Sequence, residues 1–148
     1  DFYMNGTGVY KAEILDKDHY DQIVAQSVQL SNGGNSSKLE LVYLPGGTIK
    51  KGDTFTIINN NGSAPVQGTF NGLPEGAEFA VDGATFKISY VGGDGNDVVL
   101  TAQNDSTGPK APNTGGENVA VNLAGTIVGV ASAAILLFMA KRKSFGKK

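Results

Sequence analysis

The chain has 148 residues, a formal net charge of −2 and no cysteine, which excludes a disulfide framework and any zinc–thiolate site. All fourteen acidic residues precede position 119, against seven cations, whereas the last eight residues carry five cations and no acid. The long first part is therefore net negative, which argues against nucleic-acid binding by it, and the short basic end reads as a topology signal and not as a DNA-binding patch.

The chain opens on Asp1, Phe2 and Tyr3 with no initiator methionine and no export signal, and the expectation is the C-terminal piece of a longer exported protein. Residues 1–103 predict one small all-β domain. Short alternating stretches recur at 9–15, 22–30, 38–44, 54–59, 66–70, 78–81, 85–91 and 98–102. Leu39, Leu41 and Tyr43, Phe55 and Ile57, and Phe86, Ile88 and Tyr90 alternate with polar neighbours, so one face of each strand is buried and the other wet. Between the stretches sit clusters such as Asn59-Asn60-Asn61-Gly62, Pro74-Glu75-Gly76 and Asp82-Gly83, which supply the positive-φ and side-chain-capped residues of tight turns. Eight short strands with regular turns suit a β-sandwich or the coils of a β-solenoid.

Catalytic signals are sparse along this part. His19 is the only histidine and lies among Asp16, Asp18 and Asp21. Such a residue can serve as metal ligand or base, but a polar loop before a strand is its commoner meaning. Glu75 and Glu78 flank a turn with nothing to mark them as paired acid and base. The expectation is a non-enzyme without a cofactor.

The block from Gly92 to Leu100 fits the calcium nonapeptide GGxGxDxUx, with Asp94, Asn96 and Asp97 as the candidate oxygen ligands. It occurs once, whereas such sites form between stacked repeats, and a hairpin loop between two strands is the preferred reading.

Residues 104–118 are rich in Asn, Ser, Thr, Gly and Pro and predict a flexible linker. They contain Ala111, Pro112, Asn113, Thr114 and Gly115. Residues 119–140 carry no charge. Their 22 residues span roughly 33 Å as a helix at ~1.5 Å per residue, enough to cross a ~30 Å hydrocarbon core. Gly125, Gly129 and Ala133 place small residues four apart, a spacing that lets two helices pack closely and that is also common in any such helix. Lys141, Arg142, Lys143, Lys147 and Lys148 follow at 141–148 and orient this end toward the cytoplasm, with everything before the span outside.

The order of Pro112, Thr114 and Gly115, an apolar span and a basic end resembles the cell-wall sorting signal of LPxTG proteins. The resemblance implies that a sortase-like transpeptidase attacks the Thr114 carbonyl and passes the acyl group to a peptidoglycan amine, with membrane lipid as the transient partner of the span. Ala111 stands where that family has leucine. A second resemblance covers residues 9–102. Tyr20-Asp21-Gln22-Ile23-Val24, Gly52-Asp53-Thr54-Phe55-Thr56-Ile57-Ile58, the block from Gly68 to Ala77 and the block from Phe86 to Thr101 look like the C-terminal end of autotransporter-type and related large bacterial surface proteins. It implies a cap closing a long β-helix, displayed at the surface, where the parent chain meets a host or neighbouring-cell ligand.

Overall fold

A computed structural model describes residues 1–4, 6–32 and 34–111. They form fourteen strands: β1 (Phe2–Tyr3), β2 (Val9–Asp16), β3 (His19–Tyr20), β4 (Ile23–Ala25), β5 (Val28–Gln29), β6 (Ser31–Asn32), β7 (Asn35–Ser36), β8 (Lys38–Tyr43), β9 (Thr48–Ile49), β10 (Thr54–Asn60), β11 (Glu78–Val81), β12 (Ala84–Gly92), β13 (Asp97–Ala102) and β14 (Ser106–Thr107). The described part is all-β, without a helix.

The largest sheet has the order β11-β12-β13-β10-β4, and a three-stranded sheet has the order β3-β2-β8. Three pairs run parallel: β1 with β5, β2 with β8, and β4 with β10. Their partners are Phe2↔Val28, Val9↔Lys38 and Ile23↔Ile58, so β1, β2 and β4 form one rung and β5, β8 and β10 the next. The offsets differ between these pairs, and the described residues form no regular solenoid of equal coils. On its other edge β10 pairs antiparallel with β13, which continues antiparallel into β12 and β11.

Alternation accounts for the long strands. Phe86, Ile88 and Tyr90 of β12 are buried while Lys87 is exposed, and in β8 Leu39, Leu41 and Tyr43 alternate with Lys38 and Glu40. In β10 the consecutive Ile57 and Ile58 are both fully buried. A register shift between Thr56 and Ile58 against β13 makes this possible, because the extra residue of a bulge turns two neighbours to one face. The β11–β12 turn is Asp82-Gly83, with φ of 47° and 85°, both in the left-handed region that a two-residue type I′ hairpin requires.

One core joins the sheets. Phe55 of β10 packs edge-on to Tyr20 at 5.4 Å and to Phe86 at 5.9 Å, and Phe86 meets Phe79 at 5.9 Å. A second row runs Phe2, Tyr10, Phe70 and Tyr90, with centroids 6.2, 6.4 and 6.3 Å apart. Tyr10 also donates from its hydroxyl to the Ile57 carbonyl at 3.0 Å, tying β2 to β10 across the core.

Three sequence expectations are corrected. The stretch 22–30 is two strands, β4 and β5, divided at Gln26 and Ser27 because they serve different partners. The stretch 66–70 is no strand; it makes isolated bridges at Gln67 and Phe70, and Gly68 between them has φ of 79°. Residues 104–109 are bound to the body and are not free linker. Asn104 Oδ1 accepts from Thr85 N at 2.7 Å, Asp105 Oδ1 accepts from Lys51 N at 2.8 Å, and Gly108 N donates to Gly47 O at 2.9 Å. β14 adds a ladder to β9, and Tyr43 donates to Ser106 O at 2.9 Å.

Candidate functional site

Three of the four buried polar residues among those described, Asn60, Asn96 and Asp97, meet at the seam between β10 and the β12–β13 turn. Residues Gly93 to Asn96 form that turn, closed by Gly95 N donating to Gly92 O at 2.8 Å. It places Asn96 and Asp97 inside, each 8% exposed, and leaves Asp94 exposed. Asp97 Oδ1 accepts from the Asn60 backbone N–H at 2.8 Å, satisfying a buried donor where the ladder ends. Its Oδ2 lies so close to Gly93 that a Cβ there would collide with it; only glycine fits, with φ of 58°.

Asn96 Nδ2 donates to Gly62 O at 2.6 Å, and Asn60 Nδ2 donates to Ala64 O at 2.8 Å. Gly62 N returns a bond to Asn60 Oδ1 at 3.2 Å. A Cβ on Gly62 would run into Gln26 O, so the loop after β10 is pressed against the end of β4. The two buried candidate calcium ligands thus act as clamps between a loop and a hairpin. Asn96 Oδ1 is buried and makes no hydrogen bond to the protein. Among the described residues no group of three or more His, Cys, Asp or Glu side chains is arranged to hold a metal.

A second knot surrounds Tyr90. Its hydroxyl donates to Leu73 O at 2.7 Å and accepts from Phe70 N at 3.0 Å, while its backbone N–H donates to Glu75 Oε2 at 2.7 Å. Glu75 therefore covers the edge of β12. Glu78 is exposed and lies opposite Lys87 in the ladder, so the two glutamates are not brought together as acid and base. His19 Nδ1 meets Asp16 Oδ1 at 2.8 Å on an exposed turn. The Asp18 N–H on that same oxygen, and then His19, hold the Asp16 carboxyl below its ordinary range. At the far end the Lys51 N–H, with Lys50 beside it, does the same for Asp105.

Burial pushes the hydroxyl pKa of Tyr10 up to about 12, with the Asp21 charge adding to it. It raises Tyr90 to about 12 as well, where the Phe70 N–H works against the shift and Glu75 adds to it. An unfolded tyrosine ionises near ~10. The folded state holds these protons longer, so their contribution is complete below pH ~10 and is lost as pH rises toward 12. The urea midpoint followed by circular dichroism is expected to fall over that interval, and a midpoint that stays level to pH 11.5 contradicts the burial of both hydroxyls.

Of the sorting-motif residues, Ala111 is exposed at the edge of the body. Pro112, Asn113, Thr114, Gly115, the 119–140 run and the basic residues Lys141, Arg142, Lys143, Lys147 and Lys148 lie outside the described residues. Among the described residues no helix is long and apolar enough to cross a membrane. Asn60, Tyr90 and Asn104 carry much of the polar framework, although the sequence marked Asn60 only as part of a turn, Tyr90 only as a core position and Asn104 only as linker. Comparison with protein families, curated proteins and solved structures gives no match to this chain.

Proposed function

We propose that this chain is the closing and anchoring end of a bacterial cell-surface protein, a scaffold and not an enzyme, which holds an adhesin-like or structural β-rich region at the envelope. The observation that carries the reading is β10, parallel to β4 on one edge and antiparallel to β13 on the other. Parallel rungs can be added one on another without limit, and the last one leaves a row of unpaired backbone groups that invites aggregation. On β10 the β13-β12-β11 meander covers that row with strands of opposite direction, which the same repeat cannot extend, and Gln67 bridges to Gln29 of β5, while β8 stays at the edge of its sheet. Asp97 and Asn96 lock the seam through Asn60 and Gly62. In this reading the body caps a β-solenoid.

Anchoring belongs to the other end. The 119–140 run holds the chain in membrane lipid with the basic residues inside, and a sortase-like transpeptidase acts at Thr114 to join the body to peptidoglycan. Binding of a host or neighbouring-cell ligand belongs to the displayed region.

Topology is directly testable. Lys110 is exposed and is the one trypsin site between Lys87 and Lys141. Trypsin added to intact cells is expected to release a folded fragment ending at Lys110. A body that resists trypsin until the cells are lysed would place it inside and end the proposal.

A further inference from the structure

The opposite edge of the body, made by β1, β2 and β4, is built like the edges it covers. On β1, Phe2 N donates to Ser27 O and Met4 N to Gln29 O, which turns the backbone of Tyr3 away from β5. On β2, Gly8 O accepts from Lys38 N and Ile14 O from Leu44 N; in a parallel ladder alternate residues face alternate neighbours, so Val9 and Lys11 face away from β8. On β4, Ala25 O accepts from Asn61 N, and Val24 faces away from β10. Among the described residues no strand lies beside Tyr3, Val9, Lys11 or Val24 on that side.

Among the described residues, the same three strands carry three of the four exposed large hydrophobic side chains, Tyr3, Val9 and Val24. Each is stacked in register on a polar residue of the next rung: Tyr3 on Gln29, Val9 on Lys38 and Val24 on Asn59. At these three pairs the first rung is apolar and the second polar, while Lys11 and Glu13 keep the rest of the outer face of β2 charged. The unpaired backbone groups along this edge are a ready template for a further strand.

We propose that this edge seats a further parallel rung, supplied by polypeptide preceding Asp1 and carrying aliphatic residues over Tyr3, Val9 and Val24. The inference rests on the closing-module reading and adds which end receives the partner and in what register. Between the two rungs present, only Gln26 and Ser27 separate β4 from β5. The Ser27 hydroxyl donates to Asp1 Oδ1 at 2.7 Å, so the chain start lies at this same inter-rung turn, one residue before β1. A strand equivalent to β4 therefore needs only one such turn to reach β1. The seat on β2 is limited to Val9 through Ala12. From Glu13 onward the edge is taken, because Asp21 N donates to Glu13 O at 2.9 Å and Glu13 N donates to Asp21 Oδ2 at 3.1 Å. β3 then continues antiparallel along it.

The test uses the full chain in detergent, with and without a second copy of residues 1–27 fused ahead of Asp1 as the added rung. Hydrogen exchange is read at the amides of Tyr3, Val9, Lys11 and Val24. The added rung is expected to slow them by about a hundredfold. Lys11→Pro in the original rung, which removes an edge donor, should cancel the slowing at β2, and Lys11→Ala should retain it. Edge amides that exchange equally fast with and without the added rung overturn the inference. So does slowing already present in the unextended chain that grows with its concentration, which assigns the edge to a second copy. The amides of β13 report separately: their loss of protection removes the closing-module reading itself, and their persistence beside a fast edge removes only this inference.

Discussion

Phe86→Ala is expected to cost the body about 3–5 kcal/mol, read as a fall in the urea midpoint at unchanged slope. Phe86 is fully buried in β12 and stands opposite Phe79 and Ala102 in the ladders on its two sides. It touches both Phe55 and Phe79 at 5.9 Å. Truncation removes the transfer energy of the ring, leaves a cavity that two rigid sheets cannot close, and loses two aromatic contacts worth about 0.5–1.5 kcal/mol each. A body of this size is stable by roughly 5–15 kcal/mol, so the loss is a large share of the whole. Phe86→Leu keeps most of the volume and should cost less. A change under about 1 kcal/mol for the alanine variant would mean that the Phe55–Phe86 contact is not the centre of the core.

Alternation made that centre legible. Residues 78–81 were expected as a strand and are β11, and the stretches at 38–44 and 85–91 differ from β8 and β12 by a residue or two at their ends. Asp82-Gly83 was legible as a turn because few other pairs tolerate two positive φ values. Strand direction was not legible, since a period of two is the same in parallel and antiparallel ladders. The two-residue strands β1, β3, β5, β6, β7, β9 and β14 are too short to show any period. Ile57-Ile58 looked like ordinary strand sequence, and only the partner strand reveals the bulge.

The candidate site was half legible. Glycine marked the turn at Gly92 to Gly95, but the pattern could not separate a ligand from a clamp. The distinction lies in what Asp97 and Asn96 touch, namely Asn60 and Gly62 far away in sequence. Residues 104–109 read as linker because polar side chains, and not apolar ones, fasten them. Asn104 and Asp105 accept backbone N–H groups, a use that composition cannot tell from solvation.

The largest effect expected on the protein's life in the cell is at Thr114. On the proposed sorting reading, a proline before the site suits an extended chain because it restricts φ and lacks an N–H donor. A glycine after the scissile bond suits attack by a thiolate because it carries no side chain. On that reading, attack at Thr114 would break the Thr114–Gly115 bond, release the part after Thr114, and let a wall amine take the acyl group from the enzyme. Ala111 offers a methyl group where the LPxTG pattern has leucine, so on the proposed reading the transpeptidase would need a pocket shaped for a small residue. Ala111→Leu should accordingly make the chain a substrate for transpeptidases of the common specificity.

The mass of the mature chain isolated from the cell envelope tests the account most directly. A C-terminus at Thr114 carrying a peptidoglycan fragment is the predicted result. A chain that runs intact to Lys148 would contradict it.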